Sequence, residues 1–351
     1  MEKKRLVYLE MLRIIAVWCV IFNHTGMRGF NYYTTISPSL RYWLYMALSI
    51  LVNSCVSVFY MVSGATLLGK NEEPLIIWKK RIPRIALALV VFSLLQALFQ
   101  AVYEQKPFHM LSFLKTIYSG NIIVPYWYLY AYLAFLMMLP FFRPMAQNMT
   151  EKEFIYLFIL YNVFNGLIPV IQYRLSGGSL TLNPSLDLAI ITSRLLFYPV
   201  MGYWLSRRQD PSWKTLGFLW LASVAAVAAT CCITHYRITL TGDLAESSVG
   251  KFYKAFHAFP VVTLFLTMKK LEPKLKLPEK VKSFLISFGG CTFGIYLIEQ
   301  PLRKMTMAFR DGMAASMPNM VATLLYVTLL VFLGYGIVWG MKRIPGLRKL
   351  L

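Results

Sequence analysis

The chain reads as an all-α, polytopic membrane helix bundle with about ten transmembrane helices. Three observations point there. Of its 351 residues, 58% are hydrophobic and only 15% charged; the mean hydropathy is positive, +0.55; and apolar runs able to cross roughly 30 Å of hydrocarbon recur along the whole length. No polar stretch is long enough to fold as a separate soluble domain, so residues 1–351 are expected to form a single integral-membrane domain.

Length and apolar periodicity place helices near 6–27, 42–68, 83–103, 125–142, 154–172, 186–205, 214–234, 250–268, 283–301 and 319–341. The first run follows Lys3, Lys4 and Arg5, as a signal peptide would. It contains Glu10 and Arg13 and offers no small-x-small cleavage site before Arg28, so it is read as a retained helix.

A formal net charge of +21 on a soluble chain would suggest nucleic acid. Its distribution argues for a lipid bilayer instead. An even number of spans puts both termini on one side, and 23 of the 36 Lys and Arg fall on that side against 11 opposite. By the positive-inside rule both termini are then cytoplasmic, and the basic excess needs no nucleic-acid partner. The five cysteines, Cys19, Cys55, Cys231, Cys232 and Cys291, form no C-x-x-C pair and are read as small core hydrophobes. No metal-ligand cluster, G-x-x-x-x-G-K-[ST] loop or G-x-G-x-x-G stretch occurs, so ATP-driven pumping and metal-assisted hydrolysis lack their usual parts.

The first segment carries the residues that lipid tolerates least. Arg13 and His24 are eleven positions apart, close to three helical turns, which sets them on nearly one face with about 16 Å between them along the axis. Ionisable groups at membrane depth are costly and mark a functional interior. Glu10, three residues before Arg13, is its simplest structural partner. Asn23 beside His24 adds hydrogen-bonding capacity.

Further candidates lie along the other segments. Ser63-Gly64-Ala65 in the second permits close helix approach. Lys80, Arg81 and Arg84 cluster at the mouth of the third, where arginine forks suit phosphates and where a topology collar is the plainer alternative. Tyr126 and Trp127 open the fourth at the depth of an aromatic belt, and such rings also dock sugars. Asp187 and Arg194 in the sixth are seven apart and share a face. His257 in the eighth sits a short way in from the outer surface. Glu299 in the ninth reaches the level of His24, where it either orients the imidazole or is an interfacial acid.

At these residues the chain resembles the acyltransferase type 3 family of integral-membrane acyltransferases, in particular its surface-polysaccharide O-acyltransferase branch. Arg13, ten intervening residues and His24 are similar to the family signature on its first helix. Phe59 to Gly64 resembles an F-[FY]-x-x-S-G block, Lys80 to Ile85 the basic segment at the third helix, and Tyr126 to Leu129 a W-[YF]-L block. Where many members carry a histidine after Y-L in the ninth helix, this chain has Glu299.

The resemblance implies transfer of an acyl group, commonly acetyl, from cytoplasmic acyl-CoA to a hydroxyl of an extracytoplasmic glycan or glycolipid in a cell membrane, expected to be a bacterial plasma membrane. Acetyl-CoA is then the acyl donor as substrate, with no metal. Arg13, Ser63, Lys80, Arg81 and Arg84 fall to the acyl-CoA side, and His24 with Glu299 to the reaction centre. Asn23, Tyr126, Trp127, Asp187, Arg194 and His257 are expected on the acceptor side. A secondary transporter of a glycan precursor or amino acid, running through Arg13, Asp187, Arg194 and Glu299, is the competing reading. Self-assembly into a homo-oligomer is left open.

Overall fold

A computed structural model describes residues 6–177, 179–186, 188–242, 244 and 255–351. Every regular element among them is helical: α1 (Val7–Asn23), α2 (Leu40–Val52), α3 (Cys55–Leu67), α4 (Pro74–Tyr103), α5 (Met110–Ser119), α6 (Trp127–Asn148), α7 (Glu151–Ser176), α8 (Arg194–Arg207), α9 (Trp213–Thr241), α10 (Ala258–Leu271), α11 (Glu279–Ser316), α12 (Asn319–Met341) and α13 (Pro345–Leu350), with short 3-10 turns between some of them. Among the described residues, seven stretches are long and apolar enough to cross a membrane: Leu40–Leu67, α4, Val124–Asn148, α7, α9, α11 and α12. Together they make a multi-pass membrane protein.

Each of the ten expected segments contains a helix, but three fall short of that length: α1 has 17 residues, α8 and α10 have 14 each. The expected helix over 186–205 starts only at Arg194. Asn183-Pro184 turns the chain before it, with the Ser185 amide donating to Asn183 Oδ1 at 2.9 Å. Several expected helices run longer than their apolar cores, and two of these extensions bear on the site. The third begins nine residues earlier, at Pro74, and carries Lys79, Lys80 and Arg81 on a π-helical turn over Ile77–Arg81. The ninth runs on through Pro301 to Ser316.

The short α1 is the hub of the bundle. It packs against α2, α3, α10, α11 and α12, and Leu12, Ala16, Val17 and Ile21 are completely enclosed. A helix wrapped in this way has no lipid face, so Glu10, Arg13 and His24 need only be satisfied by protein or by what fills the interior.

Three local devices shape the interior around it. Asn53-Ser54 interrupts the second apolar segment between α2 and α3; the Ser54 hydroxyl donates to the Leu51 carbonyl at 2.5 Å, competing with the helical ladder. The α3–α8 crossing is close enough that a Cβ on Gly64 would run into the backbone of Pro199, and one on Gly202 into that of Met61. In α11, Pro301 has no N–H for the Leu297 carbonyl four residues earlier. The Tyr126 hydroxyl takes over as donor at 2.8 Å, while Tyr296 donates back to the Pro125 carbonyl at 2.5 Å. This reciprocal tie keeps the helix continuous past the proline and fixes Glu299 at its middle.

Candidate active site

Between α1, α3, α4, α6 and α11 lies a cavity of about 1170 Å³, and Arg13 and His24 both line it. Its volume exceeds the range of roughly 300–1,000 Å³ common for small-ligand sites. One end is basic, bounded by Lys70, Arg81, Arg84 and Lys342; the other reaches His24, Asn23, Trp127 and Arg194.

His24 follows the last residue of α1, its amide still bonded to the Val20 carbonyl at 3.1 Å. Its Nδ1 lies 2.7 Å from Oε1 of Glu299, whose side chain is fully buried, while the imidazole keeps 23% exposure toward the cavity. The second carboxylate oxygen of Glu299 lies 3.4 Å from Nε of Arg303, one turn further along α11. Tyr326 in α12 donates to the Arg303 carbonyl at 3.1 Å and pairs with Thr306 at 2.9 Å, which holds this turn in place. Glu299 thus lies between a guanidinium and the imidazole. Arg303 supplies counter-charge at the carboxylate oxygen that the ring does not face.

Three turns below, Arg13 donates to Glu10 at 2.7 Å, the partner its spacing indicates. Glu10 is buried, and a Cβ on Gly289 of α11 would collide with it, so the glycine allows α11 to close over this pair. Ser63, with its hydroxyl on the Phe59 carbonyl at 2.9 Å, lies in the same wall.

At the basic end, Arg81 grips both oxygens of Glu72, at 2.9 and 2.5 Å. Arg143, buried in α6, reaches the same carboxylate at 3.0 Å and caps α3 through the Leu67 carbonyl at 3.1 Å. The Arg81 bonds above all, then Arg143, hold the Glu72 carboxyl down at about 2, against the cost of its partial burial. Arg84, exposed and on the cavity wall, makes no ion pair among the described residues.

The candidates named from sequence therefore divide. Arg13, Asn23, His24, Ser63, Arg81, Arg84, Trp127 and Arg194 line one cavity, and Glu299 touches it through His24. Lys80 does not line it; the π-helical turn leaves it exposed outside. Tyr126 is buried and spends its hydroxyl on Leu297, leaving the lining position to Trp127. His257 is buried at the start of α10, away from the cavity wall. Asp187 lies outside the described residues, and so does the face it is expected to share with Arg194.

Sequence reasoning passed over Arg303, Glu72 and Arg143, and the cavity-lining Asn53, Tyr132 and Lys342. Arg303 alone had a signal, since it stands four residues after Glu299 on a helix. The others are set by which helices meet.

A multi-pass helical bundle around a large cavity lined by both apolar and ionisable side chains, basic at one end and with a histidine–carboxylate pair at the other, belongs to the class of membrane-embedded transferases and transporters. The comparison with known families narrows this. Residues 6–343 match the family described as an acyltransferase domain, so the chain belongs to the acyltransferase type 3 family and is a membrane acyltransferase. No curated protein and no solved structure matches it.

Proposed function

We propose that the protein moves an acyl group, acetyl in the first instance, from cytoplasmic acyl-CoA to a hydroxyl of an extracytoplasmic glycan or glycolipid. The observation that carries this reading is that one cavity holds both the basic end and His24. CoA has its phosphates at one end of a thin pantetheine arm and its thioester at the other. Phosphates at Arg81, Arg84, Lys70 and Lys342, with the arm running past Arg13 and Ser63, bring the thioester to His24. The positive-inside distribution puts the basic end at the cytosol.

In the reaction, His24 removes the proton from the acceptor hydroxyl through Nε2 as the oxygen attacks the thioester carbonyl. Nδ1 faces Glu299, which sets the tautomer that leaves Nε2 able to accept a proton. The tetrahedral intermediate then collapses. Its C–S bond breaks, the new ester C–O bond remains, and the imidazolium returns its proton to the leaving thiolate, giving free CoA thiol. Asn23, Trp127 and Arg194 are the cavity groups on the acceptor side.

The test is an assay of purified protein in liposomes with radiolabelled acetyl-CoA and candidate acceptors. Acceptor-dependent release of CoA thiol, lowered about 10²-fold or more in His24→Ala, is expected. Movement of substrate across the liposome without acyl-CoA consumption would replace the transferase reading by the transporter.

A further inference from the structure

A second cavity, of about 580 Å³, lies between the π-helical turn Val163–Leu167 of α7 and the segment leading into α8. Arg194 lines it and also lines the cavity that contains His24. Its Nη2 is buried with no hydrogen-bond partner, and it makes no ion pair among the described residues. Its wall mixes apolar side chains such as Phe164, Leu182 and Leu186 with a braced polar part, where the Asn165 amide donates to the Thr192 carbonyl at 3.1 Å and to the Tyr161 carbonyl at 3.2 Å. Asn183 and Ser193 complete that side.

From this junction we infer that the smaller cavity seats the acceptor and that Arg194 binds an anionic group on it, a sugar carboxylate or a phosphodiester. The inference rests on the acyl-transfer reading and adds the acceptor's charge to it. Arg194 is half-buried with one unpartnered guanidinium nitrogen, and its fork matches carboxylate and phosphate, so an anion at this junction completes its hydrogen bonding. The basic end of the larger cavity is taken by acyl-CoA in that reading, so the acceptor has to approach His24 from another side. Arg194 borders both spaces, so an anion held there places the rest of the glycan at the mouth of the reaction chamber. An arginine serving only the acyl oxyanion would have no reason to border the second space.

The test reads local charge directly and does not depend on catalysis. Ser193 lines the smaller cavity and its side chain makes no cap bond, so Ser193→Cys costs no helix cap. In full-length protein carrying Cys232→Ser, which removes the exposed cysteine, the labelling rates of an anionic and a cationic methanethiosulfonate are compared, each normalised to a simple thiol. The anionic reagent should be favoured about tenfold. Arg194→Gln should bring the ratio close to one, and Arg194→Lys should keep most of it. An oligoglucuronate or a glycerol-phosphate oligomer should slow the labelling where a neutral glucan at equal concentration does not, and the oligomer that does so identifies the anion. A ratio near one with Arg194 present, equal protection by the neutral glucan, or protection by none of the three overturns the inference. Failure of the acyl-transfer reading would show separately, in the His24→Ala transfer assay.

Discussion

His24 and Glu299 come from opposite ends of the chain, yet Nδ1 of one lies 2.7 Å from Oε1 of the other. The contact exists because α1 packs along α11 and because α11 does not break at Pro301. Of the two, only the histidine reaches the cavity; the carboxylate is fully enclosed and meets it through the imidazole.

If Glu299 positions the imidazole, Glu299→Gln should lower kcat by about 10²-fold or more and leave the KM for acyl-CoA nearly unchanged. Steady-state transfer kinetics check this. A wild-type kcat in the variant would show that the pair is structural.

Lys80 and Arg84, one turn apart in the first part of α4, are not equivalent in space, and binding should separate them. Arg84→Ala removes an exposed guanidinium from the cavity wall, and acyl-CoA affinity is expected to fall about tenfold. Lys80→Ala, outside the wall, should change it less than twofold. Equilibrium binding of a non-hydrolysable acyl-CoA distinguishes the outcomes, and equal losses would refute the placement of the phosphates.

Removing the hydroxyl that replaces a helical donor should weaken the fold. Tyr126→Phe leaves the buried Leu297 carbonyl without its partner, a loss of about 1–3 kcal/mol. Thermal unfolding in detergent reads this as a lower midpoint, while Trp127→Phe, changing a ring on the cavity wall, should move it less. An unchanged midpoint for Tyr126→Phe would mean that the Pro301 gap is filled in another way.

Stability toward acid should depend on Glu72. Its carboxyl is held at about 2 in the folded protein, below the ordinary 4.5. A depressed folded-state value stabilises above the unfolded pKa, and that contribution is lost as pH falls through the folded one. The wild type should therefore lose stability between about pH 4.5 and 2 through this group, whereas Glu72→Gln should lack that part of the acid limb and be less stable near neutrality. Parallel pH–melting curves for the two proteins would contradict the assignment.

Much of the candidate site is legible in the sequence. Arg13, Glu10 and His24 are spaced by whole helical turns, and Arg81 and Arg84 stand at a helix mouth, so local periodicity was enough to name them. Lys80, Tyr126 and His257 look equally eligible in sequence, but a π-helical turn, a proline gap and the enclosed start of α10 turn them elsewhere. Glu72 and Arg143 escaped notice because a loop acid and a mid-helix arginine carry no period. Their meaning comes from the Leu67 carbonyl and the Arg81 fork they meet.

By itself the sequence determined that this chain is a multi-pass bundle of helices and which of its polar groups would be costly in lipid, because burial of apolar length and the price of charge in hydrocarbon act on local composition. Tertiary structure alone decided that α1 is wrapped on all sides, that Glu299 meets His24, and that Arg194 borders two cavities. Those are relations between segments far apart in the chain, set by glycine-tight crossings and by a tyrosine standing in for a missing amide, and no single helix encodes them.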